Sequence, residues 1–424
     1  MDDWFSPLRT IDPTDEDWSD LAHFGDVVGD CDLVLLGEAG HGDGSTFLAK
    51  TRLIKYLHQV HGFDVLTFEA GFYSCEKAHA ALIAGGDPWA ALDEGLHSVW
   101  LTEELRELVE YVDATYREGR PLRIAGFDCQ FSSMATIEKV ADDLAGWFTA
   151  IDSSILTDSD VVQLDRLANS SIPFRPQLTP TERAEARRVL HRLRDVHRYR
   201  REELEAAWGR DTTETIGQVL LNFDENDEFT WFINRWVKDA RSRAEGGVIF
   251  GVNDGEDLFK ALWNIRDTLQ ADNLRWHMDT RFAGRKVIAW LATGHAIHGS
   301  QLMRAEDPER FSGLVTMGDL VSERLGRRAY CVGVNSHDGV ATLPSGMGDL
   351  PSVESGSLED VLHGMGAQYA FADLRGLPED HELRAPRPGR IFGNLPRIVA
   401  DWSRVTDGVL FIDSMAASTP RHDR

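Results

Sequence analysis

Cysteine is scarce: Cys31, Cys75, Cys129 and Cys331 are the only four in 424 residues, far apart and with no Cys-x-x-Cys pair. Neither a zinc knuckle nor a dense disulfide framework is encoded, and the thiols read as buried. Positive charge is also in deficit, with 44 Lys and Arg against 70 Asp and Glu and a formal net charge of −26. Such a surface repels phosphate backbones and anionic headgroups, so it argues against nucleic acid and membrane partners and reads as a solubility feature. No apolar run approaches the ~18 residues that a membrane span needs. Met1-Asp2-Asp3-Trp4-Phe5-Ser6-Pro7 has no basic segment followed by an apolar one. The expectation is a soluble, cytoplasmic protein with a small-molecule substrate. Three motifs are missing as well: a terminal Gly-Lys-Ser/Thr on the glycine loop, a Gly-x-Ser-x-Gly elbow and a His-Glu-x-x-His pair. Their absence disfavours nucleotide binding, a serine hydrolase and a zincin-type metal site in turn.

What is present is a set of four apolar runs, each ending in an acid or a histidine. Asp32-Leu33-Val34-Leu35-Leu36 leads to Glu38 and His41, and Phe63-Asp64-Val65-Leu66-Thr67-Phe68 leads to Glu69. Leu122-Arg123-Ile124-Ala125 leads to Asp128, and Lys286-Val287-Ile288-Ala289-Trp290-Leu291 leads to His295 and His298. In open α/β sheets, ligands bind beyond the carboxyl ends of parallel strands, so the pattern predicts one active site along one sheet edge.

Between the runs, apolar residues recur at helical spacing. Ser45 is expected to cap a helix that runs to His61 and stops at Gly62. Further helices are expected over Glu76 to Ala84 and from Thr102 to Glu118. The alternation predicts an α/β fold with a mainly parallel central sheet flanked by helices. From residue 137 to 235 strand-like runs vanish and helical, Arg- and Glu-rich stretches take over. This reads as a helical insertion, broken at Pro173, Pro176 and Pro180, between two parts of an α/β core at 1–136 and 236–424. Strand texture returns at Val248 and Val287. Leu343 to Ser357 and Arg384 to Pro396 read as long loops, Tyr369 to Ala372 is not assigned, and Gly408 to Ile412 reads as a last strand.

The turn Gly37 to Ser45 holds four glycines, which allow a tight turn and close backbone approach. His41 in that turn, with Glu38 beside it and Glu69 beyond another strand, is placed to act as a base tuned by a carboxylate. His295 and His298 share a face if the chain is helical there. Two histidines plus carboxylates also suit a divalent ion, so a metal-dependent hydrolase at this site is an alternative. Arg266-Asp267 opens a stretch of helical pattern, and Trp100 reads either as one wall of an apolar pocket or as core. Cys129, beside Asp128, reads as a buried thiol rather than a nucleophile.

Gly37-Glu38-Ala39-Gly40-His41-Gly42, Leu53-Ile54-Lys55-Tyr56-Leu57, His61-Gly62-Phe63 and Phe68-Glu69-Ala70-Gly71 together resemble the erythromycin esterase family. In the same order, so do Trp100 with Glu104, Gly126-Phe127-Asp128, Arg266-Asp267 with Ala271-Asp272-Asn273-Leu274, and Gly294-His295-Ala296-Ile297-His298. The resemblance spans roughly residues 30 to 335. It implies an α/β core with a helical insertion, and hydrolysis of a macrolide lactone without an acyl-enzyme. By the same resemblance, His41 and Glu69 would activate water, and His295 would assist at the carbonyl or leaving group. Two positions depart from the family pattern. Lys50 stands where an arginine is usual, and Ser45 where a glutamate is usual. Lysine keeps the charge but loses the two-pronged planar donor, which bears on macrolide specificity more than on hydrolysis.

The expectation is therefore an esterase that needs no cofactor, acting on a macrolide or other large ester. Its catalytic groups would be His41, Glu69, His295, Lys50 and Glu38. Asp128, His298, Arg266, Trp100 and Glu104 would serve the substrate side. Elimination or rearrangement by the same acid and base groups, in natural-product biosynthesis, is the non-hydrolytic alternative.

Overall fold

The structure is a computed structural model that describes residues 4–172, 175–243, 256–307, 309–343, 345–395 and 397–421; side chains from 236 to 259 lie outside that description. After β1 (Phe5–Leu8), the four apolar runs form β2 (Leu33–Leu36), β3 (Phe63–Gly71), β4 (Arg123–Asp128) and β5 (Lys286–Trp290). They are followed by β6 (Ala329–Leu343), β7 (Gly346–Asp349), β8 (Tyr369–Asp373), β9 (Arg387–Gly389), β10 (Ile398–Ala400) and β11 (Gly408–Met415). The main sheet runs β1-β8-β11-β6-β2-β5-β3-β4, with β7 paired to β6. From β11 to β4 every neighbouring pair is parallel; β1, β8 and β7 join antiparallel. This is the mainly parallel α/β sheet that the alternation predicted.

Both faces of the centre are covered. Leu33 and Leu35 pack with Ala271 and Leu274 of the Glu256–Trp276 helix, while Val34 and Leu36 pack with Phe47, Ile54 and Leu57 of the Gly44–His61 helix. Burial on both sides explains why β2 is apolar without alternation. Each fully buried Leu or Phe contributes about 1.5–3 kcal/mol relative to exposure, so the sheet centre is a rigid support for what its edge carries.

Helix boundaries differ in detail from the sequence reading. The Gly44–His61 helix has Asp43, not Ser45, at its N-cap position; the Ser45 hydroxyl instead accepts from Ala416 N. Gly62, at φ +73°, ends that helix as expected. Phe72–Ile83 starts earlier than Glu76, because a strand leads straight into it through Gly71. Glu103–Leu105 is a 3-10 turn before the Arg106–Arg117 helix, and the Thr102 side chain makes no capping bond.

Between β4 and β5 the described chain is helical: Met134–Thr149, Asp158–Ser170, Pro180–Tyr199, Arg201–Trp208, Arg210–Arg243 and Glu256–Trp276. Several of these share an apolar cluster built around Leu144, Leu164, Leu190 and Leu220. Pro180 does not interrupt a helix. It begins one, at the first turn behind a Thr179–Glu182 capping box, where its missing N–H costs nothing. Pro173 and Val248 lie outside the described residues. The stretch from Leu343 holds a hairpin rather than only a loop, because β7 folds back on the end of β6 with Leu343 opposite Gly346. Likewise Arg387–Gly389, inside the second expected loop, pairs with Ile398–Ala400 just beyond it. Tyr369–Asp373, unassigned from sequence, is a sheet strand. No described helix is long and apolar enough to cross a membrane.

Candidate active site

Strand register decides where the polar groups meet. Leu36 pairs with Trp290, Trp290 with Phe68, and Phe68 with Gly126, so these four residues form one row across β2, β5, β3 and β4. Glu38, Glu69 and Asp128 follow within two residues of that row, and His295 follows one short turn later. β3 carries an extra residue here, since Phe68 faces Gly126 but Gly71 faces Asp128. Such a bulge re-aims a side chain, in this case that of Glu69. In the glycine turn, Gly42 sits at φ +115°, and a Cβ on Gly40 would come 2.7 Å from Thr342 Cβ. The turn that presents His41 therefore depends on glycine at both positions.

Glu38 is fully buried and both its oxygens are engaged. Oε1 takes His41 Nδ1 at 2.6 Å and the Trp100 indole N–H at 2.8 Å, and Oε2 takes Lys50 Nζ at 2.8 Å. Burial opposes its charge, but the Lys50 and His41 interactions outweigh that and hold the carboxyl below its usual range. Lys50 is buried too, 4.0 Å over the Trp290 ring, and burial brings its ammonium down to about 8 despite Glu38. The His41 ring stands edge-on to Trp100 and keeps 38% of its side chain exposed. Burial works against its protonation, but the Glu38 hydrogen bond and charge, with Glu69 adding to them, raise its pKa. Since Glu38 accepts from Nδ1–H, the lone pair of the neutral ring lies on Nε2.

The adjoining group is organised by Arg266. Its Nε reaches Asp128 Oδ2 at 2.9 Å and its NH2 reaches Glu69 Oε1 at 2.9 Å. Glu69 Oε2 accepts from Ala292 N at 2.8 Å, and Gln270 Nε2 donates to Asp128 at 3.1 Å. Burial opposes both carboxylates, yet His295 and Arg266 for Glu69, and Arg266 for Asp128, keep them ionised. His295 Nδ1 bonds Asp267 Oδ2 at 2.7 Å, and Asp267 Oδ1 accepts from Met317 N at 2.7 Å. Burial lowers the His295 pKa, but Asp267 and Glu69 more than reverse this. Its Nε2 lies 3.2 Å from Arg266 NH1 and 3.3 Å from Glu69 Oε1. A neutral ring accepts from Arg266 there and a protonated ring donates to Glu69, so this nitrogen has a partner in either state.

The structure thus brings Glu38, His41, Lys50 and Trp100 into one network and Glu69, Asp128, Arg266 and His295 into the next. Glu38, not Glu69, is the carboxylate that touches His41. Lys50 contacts Glu38 and Trp290 and is 1% exposed, so its charge acts on His41 only through Glu38. Trp100 lies in the apolar core, as one of the two readings had it, and its buried indole N–H also donates to Glu38. Asp128 is fully buried; Oδ2 accepts from Arg266 and Gln270, and Oδ1 from Gln130 N.

Two residues fall elsewhere. His298 bonds Asp407 Oδ1 at 3.2 Å, because the Thr293–Ala296 helix ends after one turn and Ile297 is extended, so His295 and His298 do not share a face. Glu104 accepts from Thr419 N and is joined to neither network by a hydrogen bond or ion pair among the described residues.

Sequence reasoning named Asp267 only within a motif and gave it no role, and it missed Gln270 and Trp263, whose ring stacks on His295 at 4.5 Å. The signal was available: positions 263, 267, 270, 271 and 274 lie on one helical stripe, and polar residues on an otherwise buried stripe call for partners. His97 was also missed. Its ring lies 5.8 Å from Trp100, and burial holds its pKa below the usual imidazole range despite nearby Asp128. Cys129 is buried, and burial beside Asp128 pushes its thiol far up, as expected of an inert cysteine.

The parallel α/β sheet thus carries two carboxylate–histidine pairs at its carboxyl edge. The chain belongs to the erythromycin esterase family, which residues 58–415 match; the Glu38–His41 turn precedes the matched segment. It is 25% identical over 399 residues to YbfO of Bacillus subtilis (strain 168), a protein named as a hydrolase, covering 86% of this chain and 79% of that one. It is 21% identical over 434 residues to the erythromycin esterase type II of Escherichia coli, covering 97% and 96%. Its fold matches a solved structure of a mutant of the erythromycin esterase EreC in its open conformation, with a TM-score of 0.69 at 14% identity over 97% of this chain and 98% of that one. Family and relatives support a hydrolase role.

Proposed function

We propose that the protein hydrolyses a carboxylic ester or lactone by direct attack of water, with His41 as general base. The observation that carries this reading is the Glu38–His41 pair: Nδ1 is fixed by a buried carboxylate at 2.6 Å, and the ring is the exposed end of an otherwise buried network. His41 Nε2 takes a proton from water as the oxygen attacks the carbonyl carbon. The charge that develops on the carbonyl oxygen is stabilised by Arg266, whose side chain is partly exposed between its carboxylates. His295, protonated and held by Asp267, then gives its proton to the departing alkoxide. Lys50 and Trp100 act as positioning residues through Glu38, and Asp128 positions Arg266. The helical stretch 137–235, taken as an insertion, would cover one side of a cleft for a large substrate.

A metal-dependent route through His41, Glu69 and His295 fits the geometry less well. The Arg266 guanidinium lies between the Glu69 and Asp128 carboxylates and also meets His295 Nε2, so a cation already fills the space beside two of the would-be ligands. A macrolide is the substrate that the family name suggests, and simpler lactones and esters are within reach of the same chemistry.

The reading is tested by incubating the protein and a His41→Ala variant with macrolides, simpler lactones and acyclic esters, and following the products by mass. Gain of one water by at least one substrate class, lost in the variant, is the expected result. Loss of water, or rearrangement at constant mass, would move the protein to the non-hydrolytic acid–base chemistry.

A further inference from the structure

Away from the Glu38 and His295 groups, two strands and a helix end bring together His337, His363 and Asp413. β6 and β11 pair in parallel with Ser336 opposite Ile412 and Asp338 opposite Ser414, which sets His337 beside Asp413. His363 comes from the last turn of the Leu358–Gly364 helix. Its Nδ1 lies 2.6 Å from Asp413 Oδ1, and the His337 and His363 rings stack at 3.8 Å and 14°. One ligand atom from each of the three residues lies within 4.8 Å of the other two.

His337 Nδ1 is buried and has no hydrogen-bond partner, with Asp338 Oδ2 at 3.8 Å. A buried polar atom left unpaired is destabilising, so this nitrogen is supplied with a reason to take a ligand. The backbone under the group is pinned. Arg390 NH2 donates to Ser336 O at 2.8 Å and to His337 O at 2.7 Å, and Asp413 N donates to Gln368 O at 2.9 Å. Imidazole and carboxylate donors suit borderline divalent ions, and Zn2+ takes such atoms at about 2.0–2.2 Å in a tetrahedron whose edges are about 3.4 Å. The present spacing, within 4.8 Å, exceeds that edge, so binding requires the stacked His337 and His363 rings to turn. Asp338, 65% exposed, or water supplies the fourth position.

We propose that His337, His363 and Asp413 form a surface site for a divalent transition-metal ion of the Zn2+ class, joining the Leu358–Gly364 helix to β6 and β11. Binding displaces the proton shared by His363 and Asp413. The site has a structural reach. β6 continues to Thr342, whose hydroxyl donates to His41 O at 2.7 Å and whose N–H donates to Asp43 Oδ1 at 2.8 Å. An ion at His337 therefore stiffens the strand that braces the His41 turn. This inference does not depend on the ester-hydrolysing reading.

The test is titration of the full-length protein with Zn2+ by calorimetry and with Co2+ by visible absorption, beside the variants His363→Gln and Asp413→Asn. Both positions are half-buried or exposed, and circular dichroism checks that the variants are folded. Expected are one equivalent bound by the wild type with a Co2+ spectrum of tetrahedral type, and binding at least about tenfold weaker in each variant. Zn2+ is also expected to raise the Tm of the wild type but not of His363→Gln. Equal stoichiometry and affinity in all three proteins overturns the proposal, as does the absence of binding to the wild type. Residual binding unchanged by His363→Gln would belong to another site and counts against it in the same way.

Discussion

The Trp100 indole N–H and His41 Nδ1 meet on a single oxygen, Glu38 Oε1, at 2.8 and 2.6 Å. The tryptophan thus fixes the carboxylate that fixes the base. Trp100→Phe keeps an aromatic ring beside Glu38 but removes the donor, along with part of the buried ring volume. The expected outcome is a fall in kcat of about tenfold or more with little change in KM, because the base is misplaced while the cleft is not. Freed from Trp100, Glu38 Oε1 holds the imidazolium more strongly, so the acidic limb of the pH–rate profile moves upward. A merely structural tryptophan would leave that limb where it was.

Lys50 predicts the opposite limb. The lysine lies at about 8, and once it loses its proton Glu38 is a buried anion without its cation. Activity is therefore expected to decline above pH 8 in the wild type. In Lys50→Arg the cation persists to above pH 12, so the alkaline decline is expected to move out of range. An unchanged alkaline limb would assign it to another group, His295 first.

Asp267→Asn tests the second pair. The amide keeps the shape but cannot stabilise the imidazolium at His295 Nδ1, so the proton donor is lost. We expect kcat to drop by about 10–100-fold. The loss should be smallest for esters with acidic alcohols, whose alkoxides leave without protonation. Equal losses across leaving groups would remove His295 from that step.

The fold was legible at the level of strands and their polar ends because the two periodicities, apolar runs and helical stripes, reflect burial on both sheet faces. Glu38, His41, Glu69, Asp128 and His295 could be gathered from sequence for one reason: parallel strands deliver their C-terminal residues to one edge. What could not be read was which group touches which. Trp100 reaches Glu38 across 62 residues and Asp267 meets His295 across 28. Such approaches are set by packing of whole helices. His298 was misplaced because a one-turn helix is too short to announce itself, and the β6–β7 hairpin because β7, Gly-Met-Gly-Asp, carries no apolar alternation.

Stability should depend on pH in two opposed windows. Glu38, Glu69 and Asp128 have lowered folded pKa values, so their contribution is present above the unfolded values of about 3.9–4.3 and is lost as pH falls through the folded ones. Asp43 does the reverse. Burial raises it to about 6, so the folded state binds more protons than the unfolded one between about 3.9 and 6, and stability falls as pH rises across that interval. Thermal unfolding of the wild type and Asp43→Asn over pH 4 to 7 checks this. The variant should lack that decline, and identical slopes would refute the assignment.

The central claim is that water, and not Glu38 or Glu69, attacks the carbonyl. It is tested by a single turnover with enzyme in excess over a hydrolysed ester in oxygen-18 water, followed by mass spectrometry of the acid product and of the peptides holding Glu38 and Glu69. Direct attack by water predicts a product carboxyl labelled in the first turnover and unlabelled enzyme. An unlabelled first-turnover product, with label appearing in a carboxylate of the protein, would contradict it and assign the attack to that carboxylate.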